Sequence, residues 1–507
     1  MEVCNLTYHQ KKRLAGMLMM IFLLIPQFMS AQKEDNSPLR LEFESGRDWY
    51  EYQYMPIAQH GVVLMNKGKL IHQDTVMWRF TLYDTNFSKV TQKEIKLISN
   101  LNLAATHFSG DHLYFLFQTA SNRKIPNRCF LVRSKVDQIA LSGYSPELFE
   151  LHIDLPGVNQ ITAVNNHLFL FSSNKNSNSF CFYELEKQVE TKKIELGESV
   201  TEFLLLDTTQ QKLLVAVNQY GDPRNGVPSG FVVYESNYDG SSVRAITFPQ
   251  YDEYQYRSAR IAKTGSDNYL IVGTYSNQTD KRSSNLHTGV YTLAFEKGSM
   301  GYPNFFNYTS LKTRDAKALA KAQNNNLNLQ LVIGDLYTNG QQYGFVTEVY
   351  YPEYSTSNYY APGSYYVSTP VSTFEGYRFL NAYITTFDKK GNLLWDHFMP
   401  INEMLTQSLH AKVGLFIDTE NNGYIYYPHG NSITSTLINH YTVLEPIMAE
   451  KMVSLHSRDN IESTSQVKLE RWFGNNFILT GYQSIRNPNF GKSGRRFVFF
   501  LNRLQYR

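Results

Sequence analysis

Short apolar runs that contain a glycine and end in tyrosine recur along this chain. Three of them are Ile-Val-Gly-Thr-Tyr at 271–275, Val-Ile-Gly-Asp-Leu-Tyr at 332–337 and Ile-Leu-Thr-Gly-Tyr at 478–482. Blocks of this kind are rich in β-branched and aromatic residues, and clusters of Gly, Asn, Asp and Ser separate them. This pattern is typical of β-strands joined by turns, and its repetition indicates a repeat architecture.

The spacing of the runs indicates what kind of repeat this is. The runs that follow a polar turn are centred at Leu64, Tyr114, Phe169, Val215, Ile271, Val332, Ile425 and Ile478. Most successive centres lie 46–61 residues apart, but Val332 and Ile425 are separated by 93 residues. Second runs with strand character follow at 78–83, 230–234, 289–293 and 496–500, among others. A period of roughly 40–60 residues with about four strands per unit predicts an all-β fold, a single β-propeller.

The two ends of the chain indicate how the propeller closes. The last unit has strand-like runs at 466–472, 476–482 and 496–501, and then no fourth run. Residues 39–44 precede the first complete unit, and we expect them to supply the missing strand, which leaves no open sheet edge. The prediction is eight blades closed by an N-terminal strand, or seven if one hairpin is not a blade. Two β-sandwich domains are the alternative architecture.

One unit carries a more specific signature. Residues 387–395, Phe-Asp-Lys-Lys-Gly-Asn-Leu-Leu-Trp, resemble the quinoprotein-type propeller repeat, and the turn at 238–240 resembles it loosely. In that repeat a glycine-containing turn joins two outer strands and a tryptophan docks between blades. The resemblance implies the propeller fold only, since the superfamily includes both quinone-dependent dehydrogenases and non-catalytic outer-membrane assembly scaffolds. No set of residues matches a quinone site, and we predict no cofactor.

The N-terminal residues have the pattern of an export signal. Lys11, Lys12 and Arg13 precede an apolar stretch at 18–29, and the small residues Ser30 and Ala31 follow it. This order predicts a cleaved signal peptide at 1–31, and the apolar stretch is shorter than a membrane-spanning helix needs. An uncleaved anchor is the alternative. We therefore expect an exported protein, periplasmic or at the cell surface, with no membrane span after signal removal.

Charge and cysteine content restrict the partners and cross-links. Without residues 1–31 the chain has 45 basic and 44 acidic residues, a net charge of +1. A near-neutral surface argues against electrostatic binding of nucleic acid or anionic lipid. Cys129 and Cys181 each lie in an apolar run, so two buried thiols are the simpler interpretation and a disulfide is the alternative.

The sixth unit is unusual because residues 348–377 interrupt the repeat period with a segment rich in Tyr, Ser and Pro. Tyrosine combines a large rigid ring with a hydroxyl group, so it is enriched at binding surfaces. The candidate binding residues are Tyr350, Tyr351, Tyr354, Tyr359, Tyr360, Tyr365 and Tyr366. The alternative is that these rings pack over their own blade as a lid. A short helix is predicted before this unit, at 314–323.

The remaining candidate sites are weak as sequence motifs. His107, Asp111 and His112 surround a turn, but neighbours on a strand point to opposite faces, so a solvated loop is the simpler interpretation. Residues 418–423 resemble the first half of a calcium loop, yet His429 stands where a twelfth-position acid is required, and a plain hairpin turn is favoured. Residues 490–494 resemble the end of a phosphate-binding loop without its first glycine. We predict no metal site and no catalytic residues.

These observations lead to two functional hypotheses. The first is an exported, non-catalytic β-propeller that acts as a binding or assembly scaffold for a protein or glycan partner at the cell envelope. The second is a propeller hydrolase or lyase that acts on polysaccharide with a site in the central channel. Carboxylates and a histidine converging on the innermost strands would favour the enzyme.

Overall fold

A computed structural model gives the conformation of the chain. It describes residues 39–45, 52–72, 74–119, 128–138, 145–153, 155, 157–173, 178–197, 201–207, 210–219, 230–277, 288–308, 329–360, 368–456, 458–489 and 494–505. The segment Arg40–Arg507 forms one compact unit. The predicted signal peptide at 1–31 and the predicted helix at 314–323 lie outside the described residues.

The described residues form eight antiparallel sheets, numbered here in chain order. Sheet 1 consists of β2 (Tyr52–Pro56), β3 (Val62–His72), β4 (Thr75–Tyr83) and β5 (Lys89–Ile98), with a short 3-10 helix (Ala58–His60) after β2. Sheet 2 consists of β6 (Leu101–Ser109), β7 (His112–Thr119), β8 (Cys129–Lys135) and β9 (Glu147–Leu151). Sheet 3 consists of β10 (Val158–Val164), β11 (His167–Ser173), β12 (Asn178–Glu184) and β13 (Val189–Gly197). Sheet 4 consists of β14 (Thr201–Asp207), β15 (Lys212–Gln219), β16 (Gly230–Asn237) and β17 (Val243–Thr247).

The second half of the chain repeats this arrangement with three variations. Sheet 5 has a split first strand, β18 (Tyr254–Tyr256) and β19 (Arg260–Gly265), then β20 (Asn268–Asn277) and β21 (Gly289–Glu296), and a split fourth strand, β22 (Ser299–Met300) and β23 (Asn304–Asn307). Sheet 6 has longer strands, β24 (Gln330–Thr338), β25 (Tyr343–Tyr360), β26 (Ser368–Phe387) and β27 (Leu393–Thr406). Sheet 7 consists of β28 (Gly414–Ile417), β29 (Asn422–His429), β30 (Ser432–Asn439) and β31 (Thr442–Lys451). Sheet 8 consists of β32 (Asn460–Arg471), β33 (Asn476–Arg486), β34 (Arg495–Gln505) and the N-terminal strand β1 (Arg40–Glu44).

The second strand of each sheet is apolar on both faces because sheets pack against both of its sides. In β20, eight consecutive residues are buried. Ile271 packs in a cluster shared with sheet 4, whereas its neighbours Leu270 and Val272 pack in a cluster shared with sheet 6. This alternation follows from the two-residue period of a strand. The fourth strands, such as β5, alternate exposed and half-buried residues instead.

Eight hydrophobic clusters join each sheet to the next, and one of them joins sheet 8 back to sheet 1. In that cluster Leu64 of sheet 1 lies with Ile478 of sheet 8. The rings of Tyr52 and Phe499 stack there with centroids 5.4 Å apart. The predicted β-propeller is therefore confirmed, and the arrangement as two sandwich domains is wrong, because the sheets form one closed sequence of neighbours.

The N-terminal strand closes the last sheet as predicted. β1 pairs with β34 in antiparallel register, with Leu41 opposite Leu501. The Arg40 guanidinium, which is buried, donates to Asn502 Oδ1 at 3.1 Å and to Gln483 Oε1 at 2.6 Å. It also pairs with Glu42 at 2.6 Å. These contacts join the two ends of the chain through side chains as well as through the strand ladder.

Two details of the predicted repeat differ in the structure. Val332 lies in the first strand of its sheet, whereas the other seven repeat centres lie in second strands. Both strand positions follow polar residues, so the apolar pattern alone does not separate them. The segment 348–377 is also not a loop inserted between strands, because the residues described in it extend β25 and β26 as one hairpin.

The turn that resembles the quinoprotein repeat packs as that resemblance implies. Gly391 has a φ of +82°, and its carbonyl accepts a 2.7 Å hydrogen bond from the Thr292 hydroxyl of sheet 5. Trp395 is fully buried between sheets 6 and 7, and its Nε1 donates to Gln342 Oε1 at 3.2 Å. A Cβ at Gly240 would lie 3.0 Å from the Phe182 ring of the preceding sheet, so this turn also packs closely against its neighbour. Both turns therefore pack against the neighbouring sheet.

The prediction that the two cysteines are buried thiols is confirmed. Cys129 and Cys181 are free and buried, and both lie in the cluster between sheets 2 and 3. Burial raises the pKa of Cys129 to about 12, which leaves the thiol protonated and unreactive near neutral pH.

Candidate functional site

The most distinctive surface feature is a two-stranded extension of sheet 6. The residues described within 348–377, Glu348–Tyr360 and Ser368–Tyr377, are called the tyrosine hairpin here. β24 pairs with β25 as far as Tyr350, and β27 pairs with β26 from Tyr377 onward. From Glu353 to Tyr360, the partner of β25 among the described strands is β26 alone. These seven residue steps of about 3.3 Å extend the hairpin roughly 23 Å beyond the sheet.

One side of the tyrosine hairpin has a continuous ladder of aromatic rings. The ring of Tyr354 meets Phe374 edge-on at 5.5 Å, and Phe374 meets Tyr377 at 5.1 Å. Tyr377 then contacts Tyr350, which stacks on Phe379 at 5.6 Å. Tyr350 and Phe379 are buried, whereas Tyr354 is 58% exposed and Phe374 is 42% exposed. The ladder therefore runs from the propeller core to an exposed aromatic pair.

Polar contacts between the two strands complete the tyrosine hairpin. Arg378 pairs with Glu353 at 2.5 Å, and the Ser355 hydroxyl donates to Glu375 Oε1 at 2.5 Å. The Arg378–Glu353 pair is half-buried, whereas Ser355 and Glu375 are exposed. These contacts add to the strand ladder that holds the two strands together.

The structure places the predicted tyrosines in different environments. Tyr350 is buried and its hydroxyl donates to Gln330 Oε1 at 2.5 Å, Tyr351 is half-buried, and Tyr354 is exposed. Tyr359 and Tyr360 lie in β25, opposite Thr369 and Ser368 in the strand register. The two remaining candidates, Tyr365 and Tyr366, lie outside the described residues.

A buried carboxylate lies at the base of the tyrosine hairpin. Glu348 is fully buried in β25 and accepts hydrogen bonds from the backbone N–H groups of Lys412 and Val413, at 2.8 and 2.9 Å. Burial raises its pKa to about 7, although those N–H groups and the charge of Lys412 act in the opposite direction. Glu348 therefore fixes the segment that connects sheet 6 to sheet 7.

The same connecting segment carries a buried lysine and a histidine. Lys412 Nζ lies 2.9 Å from His410 Nε2 and 3.1 Å from Ser408 Oγ. Burial lowers the pKa of Lys412 to about 8, and burial together with the charge of Lys412 lowers the pKa of His410 to about 4. Val467 of sheet 8 provides a carbonyl oxygen 2.9 Å from His410 Nε2. The cluster thus links sheet 6 and sheet 8 through the segment that leads to sheet 7.

Sequence reasoning missed Glu348, Lys412 and Phe374 as contributors to this region. One signal was available, because Glu348 is a lone charged residue within an otherwise uncharged run at 343–352. An acidic residue in a doubly buried strand requires hydrogen-bond partners. The partners themselves lie 64 and 65 residues away, so the sequence alone does not identify them.

The weaker candidate sites adopt structural roles. His107 Nε2 lies 3.3 Å from Thr162 Oγ1, and burial lowers the pKa of His107 to about 4. His112 Nδ1 lies 2.5 Å from Asp111 Oδ1, so the predicted cluster divides into two separate contacts. Within the described part of the chain, no group of three or more His, Cys, Asp or Glu side chains is arranged to hold a metal ion.

The calcium-like segment is a hairpin turn between β28 and β29, as favoured above. Asp418 Oδ1 accepts the backbone N–H groups of Glu420 and Asn422, each at 2.8 Å. Asp418 Oδ2 accepts the Asn422 amide at 2.8 Å and the Tyr424 hydroxyl at 3.1 Å. Both carboxylate oxygens thus stabilise the turn. Most of the phosphate-loop-like segment, 490–493, lies outside the described residues.

Comparison with known proteins gives no family for this chain and only distant structural similarities. No family model matches the sequence, and no curated protein matches it. Among solved structures, the β-propeller domain of the Trilobed protease from Pyrococcus furiosus is 10% identical, with 79% of this chain and 93% of that chain covered and a TM-score of 0.35. The polysaccharide lyase Uly1 is 10% identical, with coverage of 91% and 93% and a TM-score of 0.37. The Dos1 propeller is 9% identical, with coverage of 80% and 92% and a TM-score of 0.39.

No helix among the described residues is long and apolar enough to cross a membrane.

Proposed function

We propose that this protein is an exported, non-catalytic β-propeller that acts as a binding or assembly scaffold for a protein or glycan partner. The tyrosine hairpin is the contact surface, and the protein is located at the cell envelope. The observation that carries the proposal is the exposed aromatic pair, Tyr354 and Phe374, on strands that extend beyond the sheet. Exposed rings on a rigid strand ladder are good anchors for a partner, because little side-chain entropy is lost on binding.

The arrangement of the rings supports a binding surface over a lid. A lid would bury its rings against its own sheet, as Tyr350 and Phe379 do at the base. Tyr354 and Phe374 lie further out, and the described residues around them, 354–356 and 371–375, are all exposed. The base therefore stabilises the hairpin, and the outer part remains available for a partner.

The alternative of a polysaccharide hydrolase or lyase requires carboxylates near a histidine on the innermost strands. On the described parts of those strands the histidine is His107, and it contacts the Thr162 hydroxyl rather than a carboxylate. Its lowered pKa leaves it neutral near pH 7, where it lacks the proton that a general acid donates. These features support the scaffold over the enzyme.

The test of the proposal separates binding from folding. Tyr354→Ser combined with Phe374→Ser is expected to abolish most capture of the native partner, since aromatic anchors often dominate interface energy. The melting temperature should change by no more than about 2 °C, because the two side chains are exposed. Tyr302→Ser is the matched control, since Tyr302 is 91% exposed elsewhere on the propeller.

The measurement uses a glycan array and envelope-extract capture, followed by titration of each purified hit against the three proteins. Loss of binding by the double variant alone supports the proposal. Unchanged binding of a purified hit by the double variant contradicts it. A large drop in melting temperature with binding intact would show that the tyrosine hairpin is a structural lid.

A further inference from the structure

A cleft of about 460 Å³ lies at the ends of the innermost strands of sheets 6, 7 and 8. β24, β28 and β32 end there at Thr338, Ile417 and Arg471, and in a propeller such strand ends surround one mouth of the central channel. The cleft and the tyrosine hairpin lie at opposite ends of β25, which begins just after the turn that lines the cleft. The volume of the cleft is within the range of about 300–1,000 Å³ found for small-molecule sites.

An arginine in this cleft has donors available for a ligand. Arg471 is exposed, and its guanidinium carbon lies 5.8 Å from the ring centroid of Phe416. It makes no ion pair or hydrogen bond with the part of the chain that the structure describes, whereas Lys468 and Glu470 on the same strand pair with each other. A guanidinium over an aromatic ring presents its planar fork to an incoming anion.

Asp418 is the other charged residue in the described lining of the cleft, and it already accepts hydrogen bonds. Both carboxylate oxygens of Asp418 accept hydrogen bonds within its own turn, including one from the Tyr424 hydroxyl. The turn therefore satisfies the carboxylate, and Arg471 is left as the charged group with free donors in the described cleft. An anionic group can therefore pair with Arg471, while Asp418 keeps its own charge and is held within its turn.

The walls of the cleft indicate what carries that charge. The rings of Phe416 and Tyr424 lie side by side with centroids 5.7 Å apart. The polar lining includes Thr338, Thr419 and Asn475. An apolar wall with hydroxyl and amide groups around it matches a sugar ring, which has an apolar face and an edge of hydroxyl groups.

We propose that this cleft binds a uronic acid unit of an acidic saccharide. Arg471 holds the carboxylate through two parallel hydrogen bonds, the geometry that distinguishes arginine from lysine. Phe416 and Tyr424 contact the face of the sugar ring, and Thr419 lies at the rim near its hydroxyl groups. The proposal does not depend on the tyrosine hairpin and extends the function beyond it.

Calorimetric titration of the full chain with tetragalacturonate tests the proposal directly. The methyl-esterified tetramer is the neutral ligand with the same sugar ring, and it should bind about tenfold more weakly or not at all. Arg471→Gln should raise the Kd about tenfold or more, because hydrogen bonds to a charged group are lost. Arg471→Lys retains the charge without the fork, so it should give an intermediate Kd.

The matched control is Arg486→Gln, which removes an exposed arginine at the far end of the same sheet and should leave the Kd unchanged. The Tyr354→Ser and Phe374→Ser double variant should also bind tetragalacturonate normally, which separates this site from the tyrosine hairpin. Absence of binding by the unmodified chain would overturn the proposal. So would an equal Kd for the methyl ester, an unchanged Kd in both Arg471 variants, or tighter binding of a peptide carboxylate than of the saccharide.

Discussion

Glu348 couples the base of the tyrosine hairpin to the neighbouring sheet through a single carboxylate. The side chain is fully buried, and its hydrogen bonds go to backbone N–H groups of residues 412 and 413. Burial penalises the charged form, so the carboxyl group keeps its proton in the folded state to a higher pH than in the unfolded chain. This residue should therefore make stability depend on pH.

The sign of that dependence follows from proton binding. Between the ordinary pKa of 4.5 and the folded value of about 7, the folded state binds more protons than the unfolded state. The unfolding free energy should fall as pH rises through this window, by on the order of 3 kcal/mol for this group alone. Glu348→Gln should reduce the change of the unfolding free energy with pH, whatever the substitution itself costs in stability. Urea unfolding at pH 5, 6 and 7 measures this, with the exposed Glu450→Gln as the control. A slope that is identical in Glu348→Gln and the unmodified chain would contradict the assignment.

The sequence located the aromatic segment but did not separate its exposed from its buried rings. Register shifts occur between Val349 and Tyr350 and again between Glu353 and Tyr354. Each shift breaks the two-residue alternation that a strand prediction relies on, so the face of each tyrosine could not be read from its position. Phe374 was missed because its importance comes from the residue opposite it, Tyr354, which is 20 positions away.

At the level of elements, turns between strands help to join neighbouring sheets. Gly391 shows this, because a Cβ there would lie 2.6 Å from Thr292 Oγ1 of the neighbouring sheet. The sequence revealed this turn through its resemblance to a known repeat. It did not reveal that the tyrosine-rich segment extends two strands, since Tyr, Ser and Pro are typical of loops as well as of exposed strand edges.

Comparing substitutions at Gly340 and Gly391 separates the cost of backbone strain from the cost of disturbing the contact between sheets. Gly391 and Gly340 have φ angles of +82° and +87°, but a Cβ at Gly340 would meet nothing within 4 Å. Gly340→Ala should therefore cost about 1 kcal/mol for its backbone conformation alone. Gly391→Ala should cost roughly 1–3 kcal/mol more, because the turn must also move away from sheet 5. Chemical unfolding of both variants measures the difference, and equal losses would show that the contact with Thr292 contributes nothing.

At the level of the whole molecule, the ring positions both proposed sites. The tyrosine hairpin extends from one end of β25, and the cleft requires strand ends from three adjacent sheets. The apolar repeat and the incomplete last unit were sufficient to predict a ring closed by the first strand. The buried network of Arg40, Gln483 and Asn502 that joins the ends was not predictable, because polar partners more than 400 residues apart leave no local pattern.

Closure is the central structural claim, and one cross-linking measurement tests it directly. Leu41 lies opposite Leu501 in the β1–β34 ladder, so Leu41→Cys with Leu501→Cys should form a disulfide under mild oxidation. Leu41→Cys with Phe499→Cys is the control, since Phe499 lies two positions out of register. Mass spectrometry of the oxidised chain under non-reducing conditions should show an intramolecular bond in the first protein in high yield and little in the second. Equal yields, or a bond only between separate chains, would contradict a ring closed by its own N-terminal strand.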